Sequence, residues 1–205
     1  MVTDPELLRL ANESGFPLQI AIEHVVRQTS AAHGWQVRHS EHAWHNPADG
    51  QSGFIDLVLS DSNGFAYAVV ECKRVRNTTW LFFAGTGSLA RRYHCRAWAT
   101  HYRNGSFNAF GWFEVSIDPA TPEANFCAVR GQSTNDRNTL LERVAGELIS
   151  STEALALAER DYRRQEAESL RLYFNVIVTT ATLKVAEFDT AHLSIADGTI
   201  TEASF

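Results

Sequence analysis

Asp56, Glu71 and Lys73 are the residues of this chain whose types and spacing best fit a chemical site. They lie in the stretch GFIDLVLSDSNGFAYAVVECKRVR, from Gly53 to Arg76, where two apolar runs, Phe54 to Leu59 and Phe65 to Val70, flank Asp61-Ser62-Asn63-Gly64. Those four residues favour a tight turn, so the stretch predicts a β-hairpin. With the four as the loop, Ser60 pairs with Phe65, and Asp56 falls across from Val69 and diagonal to Glu71. Side chains alternate along strands, so Asp56, Val69, Glu71 and Lys73 share one face, while Ile55, Leu57, Leu59, Ala68 and Val70 take the other. Diagonal neighbours are about 7–8 Å apart at the backbone. Two carboxylates so placed can share a divalent cation with oxygen ligands at about 2.0–2.6 Å. An isolated D…ExK also describes solvated charges at a hairpin end. The hydrophobicity of both strands instead implies a covered sheet, where charges need partners or a task.

The elements that must position these residues are read from periodicity and turn signals. Asp4 to Glu13 predicts a short helix with Asp4 as its cap and Pro5 at its first position. Pro17 to about His33 predicts a second, with Leu18, Ile22, Val25, Val26 and Thr29 as its apolar face. Glu23 sits at the edge of that face as a candidate third carboxylate, with Gln19 one turn earlier. Trp35 to Trp44 reads as a strand and Asn46 to Gly50 as a loop. His39, His42 and His45, with Glu41 among them, invite a zinc reading, but steps of three belong to a helix, so no metal site is expected there. After the hairpin come a connection over Asn77 to Gly87, a helix from Ser88 to Arg103 and a strand from Asn108 to Asp118. The GTG at Gly85 to Gly87 lacks the Lys-Ser/Thr pair of a phosphate loop. Phe126 to Val129 predicts a short strand, and GQSTNDRN is turn-like. Thr139 to Leu172 predicts one long helix or two hinged near Ser150-Ser151, followed by strands at Tyr173 to Thr179 and Leu183 to Phe188.

Composition bounds the class of protein. A chain of 205 residues, 44% hydrophobic and 20% charged, can fill one sizeable core, so a single domain over 1–205 is expected. The opening MVTDPELLRL resembles neither a signal nor a transit peptide, and no run is long enough to span a bilayer; a cytoplasmic protein with no membrane partner is expected. Cys72, Cys95 and Cys127 are far apart and form no CxxC pair, which argues against a zinc ribbon or a disulfide framework. The net charge of −6 hides an asymmetry: no Asp or Glu lies between Cys72 and Phe113, where Lys73, Arg74, Arg76, Arg91, Arg92, Arg96 and Arg103 supply seven positive charges. Such a segment offers a polyanion a docking place, and the interleaved Trp80, Tyr93, Trp98 and Tyr102 could stack on bases.

The succession helix 17–33, strands 35–44, 54–60 and 65–73, helix 88–103 and strand 108–118, with Asp on the second strand and Glu-x-Lys on the third, resembles the core of the PD-(D/E)xK phosphodiesterase superfamily. That core is the α/β, or α+β, restriction-endonuclease-like αβββαβ fold, a central mixed sheet flanked by helices. Fourteen residues separate Asp56 from Glu71, and Ile55 replaces the proline of the motif's name. The resemblance covers about residues 15–118; residues from about 120 to 205 would be a helical and strand extension, and the chain could be part of a longer protein. It implies Asp56, Glu71, Lys73 and Glu23 as catalytic residues, Mg²⁺ or Mn²⁺ held by Asp56, Glu71 and the main-chain carbonyl of Cys72, and nucleic acid, DNA before RNA, as partner. Arg74, Arg76, Arg91, Arg92, Arg96 and Arg103 would bind it. Defence against foreign DNA, a homodimer and fusion to further domains are compatible with it. The rival expectations are an inactive nuclease-fold module that grips nucleic acid without cutting, and a protein-interaction or sensing domain built on the Thr139 to Leu172 helices.

Overall fold

Helices α1 (Asp4–Glu13) and α2 (Phe16–His33) open the chain. The N-cap of α1 is Thr3 rather than Asp4, and Glu6 reaches back to accept from its N–H at 2.8 Å. Helix α2 ends at Gly34 with φ of 76°, a conformation open to a residue without Cβ. The remaining elements are β1 (Trp35–His45), β2 (Ser52–Asp61), β3 (Ala66–Lys73), β4 (Thr79–Gly85), β5 (Arg91–Arg103), β6 (Ser106–Pro122), β7 (Phe126–Arg130), α3 (Leu140–Arg163), β8 (Glu168–Thr179), β9 (Thr182–Phe188) and the short pair β10 (Leu193–Ser194) and β11 (Thr199–Ile200). This computed structural model describes residues 3–85, 91–130, 140–163 and 168–205, the side chains of Arg91, Asp161 and Arg163 excepted.

The protein is a mixed α+β fold. One six-stranded sheet has the order β1-β2-β3-β8-β5-β6, and a three-stranded sheet has the order β7-β4-β9. In the larger sheet β1, β2 and β3 form an antiparallel meander, β8 pairs parallel to β3, and β5 pairs antiparallel to β8. The chain divides into two compact units, Met1–Arg74 with Arg96–Phe113 and Val144–Thr179, and Val75–Cys95 with Glu114–Arg143 and Thr180–Phe205. No helix among the described residues is long and apolar enough to cross a membrane.

In the first unit both faces of the sheet are covered. Leu57, Val70 and Cys72 pack with Leu18 and Ile22 of α2 on one face. On the other, Tyr67 and Tyr173 stack at 5.0 Å, and α3 is tied down by Thr152 donating to Asn175 Oδ1 at 2.6 Å. Glu159 of α3 accepts from Arg171 and from the Tyr173 hydroxyl, each at 2.6 Å. Cover on both faces explains why β2 and β3 read as continuous apolar runs rather than as clean alternation.

Several expectations are corrected. Residues 91–103, expected as helix, are strand β5, whereas Ser88 to Ala90 lie outside the described residues. The Ala and Arg of this stretch favour helix in isolation, but its pairing with β8 and the burial of Ala97, Ala99, Thr100 and Tyr102 make it an inner strand, where packing overrides propensity. Asn77 to Gly87, expected as a connection, contains β4, paired with both β7 and β9. Thr86 and Gly87, and all of GQSTNDRN, lie outside the described residues. Of the two alternatives for Thr139 to Leu172, α3 is the single helix, continuous across Ser150-Ser151; residues 168–172, expected as helix, belong to β8, and Thr139 and residues 164–167 lie outside the described residues. The supposed hinge is a row of buried hydroxyls, with Ser150 donating to Asp49 at 2.7 Å and Ser151 to the Leu148 carbonyl at 3.1 Å.

The packing around Leu57 carries a stability prediction. Leu57→Ala, at a fully buried position, should cost about 2–5 kcal/mol, whereas Leu8→Ala on α1, where the side chain is 65% exposed, should change stability by less than about 0.5 kcal/mol. Urea unfolding midpoints of the two variants check this.

Candidate functional site

The turn of the hairpin is wider than expected. Asp61 accepts from the N–H groups of both Phe65 and Ala66, at 2.7 and 2.9 Å, so Phe65 is drawn into the turn and Ser60 pairs with Tyr67. Leu57 then opposes Val70, where the pairing ends, so Asp56 and Glu71 are the next residues beyond it on their two strands rather than diagonal partners within it. A shift of two residues keeps every side chain on its expected face. Asp56, Glu71 and Lys73 are therefore together on the α3 side of the sheet, and Cys72 turns its thiol into the Leu57–Val70 core.

The polar contacts define the site closely. Asp56 Oδ2 accepts from the Cys72 N–H at 2.6 Å, and Lys73 Nζ lies 2.5 Å from Glu71 Oε1. Gln19, buried on α2, donates through Nε2 to the Asp56 carbonyl at 3.0 Å, fixing the backbone from the opposite side. Glu23 is not brought to the pair. Its carboxylate is held by Arg27 at 2.6 Å and by Ser40 at 2.9 Å, and Ser40 pairs with Leu57 on the face that α2 covers.

A carboxylate that the sequence did not single out stands closer. Glu147 of α3 lines, with Glu71, Ser151 and Trp44, a cleft of about 330 Å³. Its negative charge acts on both Glu71 and Lys73. The only sequence signal was its place one turn before Ser151, beside the buried stripe of Val144, Leu148 and Leu155. Nothing in its distance along the chain from Glu71 points to it.

The charges disturb one another. Burial raises the pKa of Asp56, and the Glu41 charge adds to this, against the Cys72 N–H and Lys73. Burial likewise raises Glu71, with Asp56 and Glu147 adding to it and Lys73 opposing. Burial works against the charge on Lys73, but its hydrogen bond to Glu71 and the surrounding acids carry its pKa upward, so it is an ammonium at neutral pH. The Cys72 thiol is pushed up to about 12 by burial and by the same two carboxylates, which leaves it no part as a thiolate. Among the described residues no three His, Cys, Asp or Glu side chains are grouped so as to hold an ion. The available donors, carboxylate oxygens and a main-chain carbonyl, are the hard ligands that Mg²⁺ or Mn²⁺ takes. A cation would also offset the cost of two adjacent buried anions, so the donor set fits a divalent ion completed by water.

Strand β1 holds a second departure. Glu41 has φ of 50° between the pairs Ser40–Leu57 and His42–Ile55, and the register of β1 on β2 shifts between Val37 and His39. His39 and His42 stack with ring centroids 4.6 Å apart, although a regular strand would send them to opposite faces.

The basic segment is less concentrated than its composition suggested. As strand rather than helix, β5 sends neighbouring side chains to opposite faces. Arg92 pairs with Glu123 and, at 3.5 Å, with Glu114; Arg103 lies 3.6 Å from Glu168; Arg74 donates to the Ser14 carbonyl at 3.5 Å. Arg76 and Arg96 are exposed and have no ion pair among the described residues, and the side chain of Arg91 lies outside them. Trp80 and Tyr102 are buried, and Trp98 packs edge-on against Phe110 and Trp112. Of the four aromatics only Tyr93, 63% exposed, is open to a base. All three cysteines are free.

Compared with protein-family models, curated proteins and solved structures, the chain matches none of them.

The raised pKa of Asp56 fixes a sign. A carboxyl whose pKa is higher folded than unfolded costs stability when ionised, and that stability returns as pH falls through the folded value. Asp56→Asn should therefore melt at a higher temperature than the wild type at pH 7 in EDTA, with the gap closing toward about pH 4. Paired thermal melts at the two pH values check it, and a lower melting temperature for Asp56→Asn at pH 7 contradicts it.

Proposed function

We propose that the protein is a metal-dependent nuclease that hydrolyses phosphodiester bonds, with DNA preferred to RNA. The observation that carries this reading is the Asp56–Glu71 pair, close enough on β2 and β3 for each charge to act within one cluster with Lys73, with Glu71 lining the Glu147 cleft. The element order supports a restriction-endonuclease-like core, but through different segments from those the sequence suggested. Helix α2, strands β1 to β3, helix α3 and strand β8 supply the αβββαβ succession, with β8 parallel to β3, and residues 75–139 stand as an insertion between β3 and α3.

Asp56, Glu71 and the Cys72 carbonyl would hold Mg²⁺ or Mn²⁺. Such an ion, when bound, neutralises charge on the scissile phosphate and makes hydroxide available near neutral pH. Lys73 contributes from the protein side. Kept protonated by Glu71, it donates hydrogen bonds to an attacking water or to a phosphate oxygen and stabilises negative charge that develops there; it does not serve as a base. The hydrogen bond from the Cys72 N–H holds one oxygen of Asp56 and leaves the other available. Gln19 fixes the Asp56 backbone, so the carboxylate geometry is set before any ligand arrives. Among the basic residues, the reading favours Arg76 and Arg96 for phosphate contact over Arg92, which has two acidic partners.

Incubation of plasmid, linear duplex, single-stranded DNA and RNA with and without Mg²⁺ or Mn²⁺ tests the activity. Asp56→Asn and Glu71→Gln should each abolish metal-dependent cleavage while remaining folded, and Lys73→Ala should retain metal binding but lose turnover. Asp61→Asn, in the turn at the far end of the hairpin, should stay active. Cleavage at the wild-type rate by Asp56→Asn and Glu71→Gln would remove this site from the reaction.

A further inference from the structure

A second cavity follows the first along the same two elements. The cleft at Glu71 lies between Trp44 of β1 and Ser151 of α3; one turn on along α3 and two residues back along β1, Leu155 and His42 line a cavity of about 410 Å³. Its polar walls are Arg38, His39, His42, Glu159, Tyr162 and Arg171. Two arginines and two imidazoles thus face one carboxylate, and that carboxylate already accepts from Arg171 and Tyr173. The side chains of Arg38, His39 and His42 have no hydrogen-bond or ion-pair partner among the described residues. Burial lowers the pKa of His39, and the stacked His42 and Arg38 also act against a positive charge there, opposed by Glu159. An anion entering the cavity would relieve that repulsion and take the unpartnered donors. Uncompensated donors in a concave site of this size point to a phosphate group rather than to a cation.

The spacing connects the two cavities. Ser151 and Glu159 are eight positions apart on one helix, about 12 Å at 1.5 Å per residue. That equals three to four stacked nucleotides at roughly 3.4 Å per step. We propose that the Arg38–His39–His42 pocket holds a phosphate group of the nucleic-acid strand whose scissile bond lies at Asp56 and Glu71. The strand then runs along the groove between β1 and α3. This assignment rests on the nuclease reading for the identity of the strand, but the pocket can be tested without cleavage.

The test is fluorescence anisotropy with a labelled oligothymidylate of about eight nucleotides in EDTA, over a range of salt, combined with NMR of the imidazole protons. Wild-type protein should bind, and the His39 and His42 resonances should move on addition of the oligonucleotide. Arg38→Ala, an exposed and unpartnered position, and the double variant His39→Gln/His42→Gln should each weaken binding about 5- to 20-fold and flatten the log–log salt slope by about 0.7 for each phosphate the variant no longer holds; Arg38→Lys should keep most of the affinity. Unchanged affinity and slope in both variants, or imidazole signals that ignore the oligonucleotide, would overturn the assignment. If inorganic phosphate moves those signals and the oligonucleotide does not, the pocket is a free-anion site and the strand path is wrong. None of these results depends on whether Asp56→Asn cuts, so the pocket and the hydrolytic reading fail separately.

Discussion

Asp56 and Glu71 place two carboxylates side by side on neighbouring strands of a sheet that is covered on both faces, and the local structure is arranged around that repulsion. Each side chain is more than half withdrawn from water, so neither is screened as a surface acid would be. One hydrogen bond from the Cys72 N–H and one ion pair from Lys73 offset part of the cost. The remainder shows as raised pKa values on both acids. Removing Lys73 would leave two buried anions with no cation between them, and adding a divalent ion would satisfy both. The cluster therefore carries uncompensated negative charge that a hard cation would offset.

The geometry that creates this pair depends on long-range pairing. A parallel neighbour for β3 cannot be reached by a tight turn and needs a crossover, and here the crossover from β3 to β8 includes α3. Because α3 returns across the Tyr67–Val69–Glu71 face, it brings Glu147 and Ser151 beside Glu71 and then Glu159 onto Tyr173 and Arg171. Position along α3 thus orders the groove from the carboxylate pair to the histidine pocket.

Local signals carried the hairpin and little beyond it. The apolar runs and the turn residues gave β2, β3 and the shared face of Asp56, Glu71 and Lys73, because period-two alternation depends only on neighbours in sequence. The register differs by two residues since Asp61 binds the Phe65 and Ala66 amides and extends the turn, a choice that composition does not reveal. Residues 91–103 mislead for a different reason: the burial of Ala97 and Thr100 against sheet neighbours belongs to tertiary structure. The acid-free basic stretch likewise looks concentrated only along the chain, and Glu114, Glu123 and Glu168 return to neutralise parts of it.

Glu23 and Glu147 show how the two kinds of information divide. Glu23 has the helical position that the superfamily resemblance requires, yet Arg27 one turn later and Ser40 on the adjoining strand hold its carboxylate on the α2 side. Gln19, from the same helix edge, reaches Asp56 instead, and it reaches the main chain rather than the side chain. An amide is the suitable group there, since it donates to a carbonyl without adding a third negative charge behind the pair. Glu147 approaches from the open side, exposed to water, where its charge is cheap to maintain and can still act on Lys73 and Glu71. The site thus has a neutral amide on its buried wall and an additional negative charge on its water-exposed side.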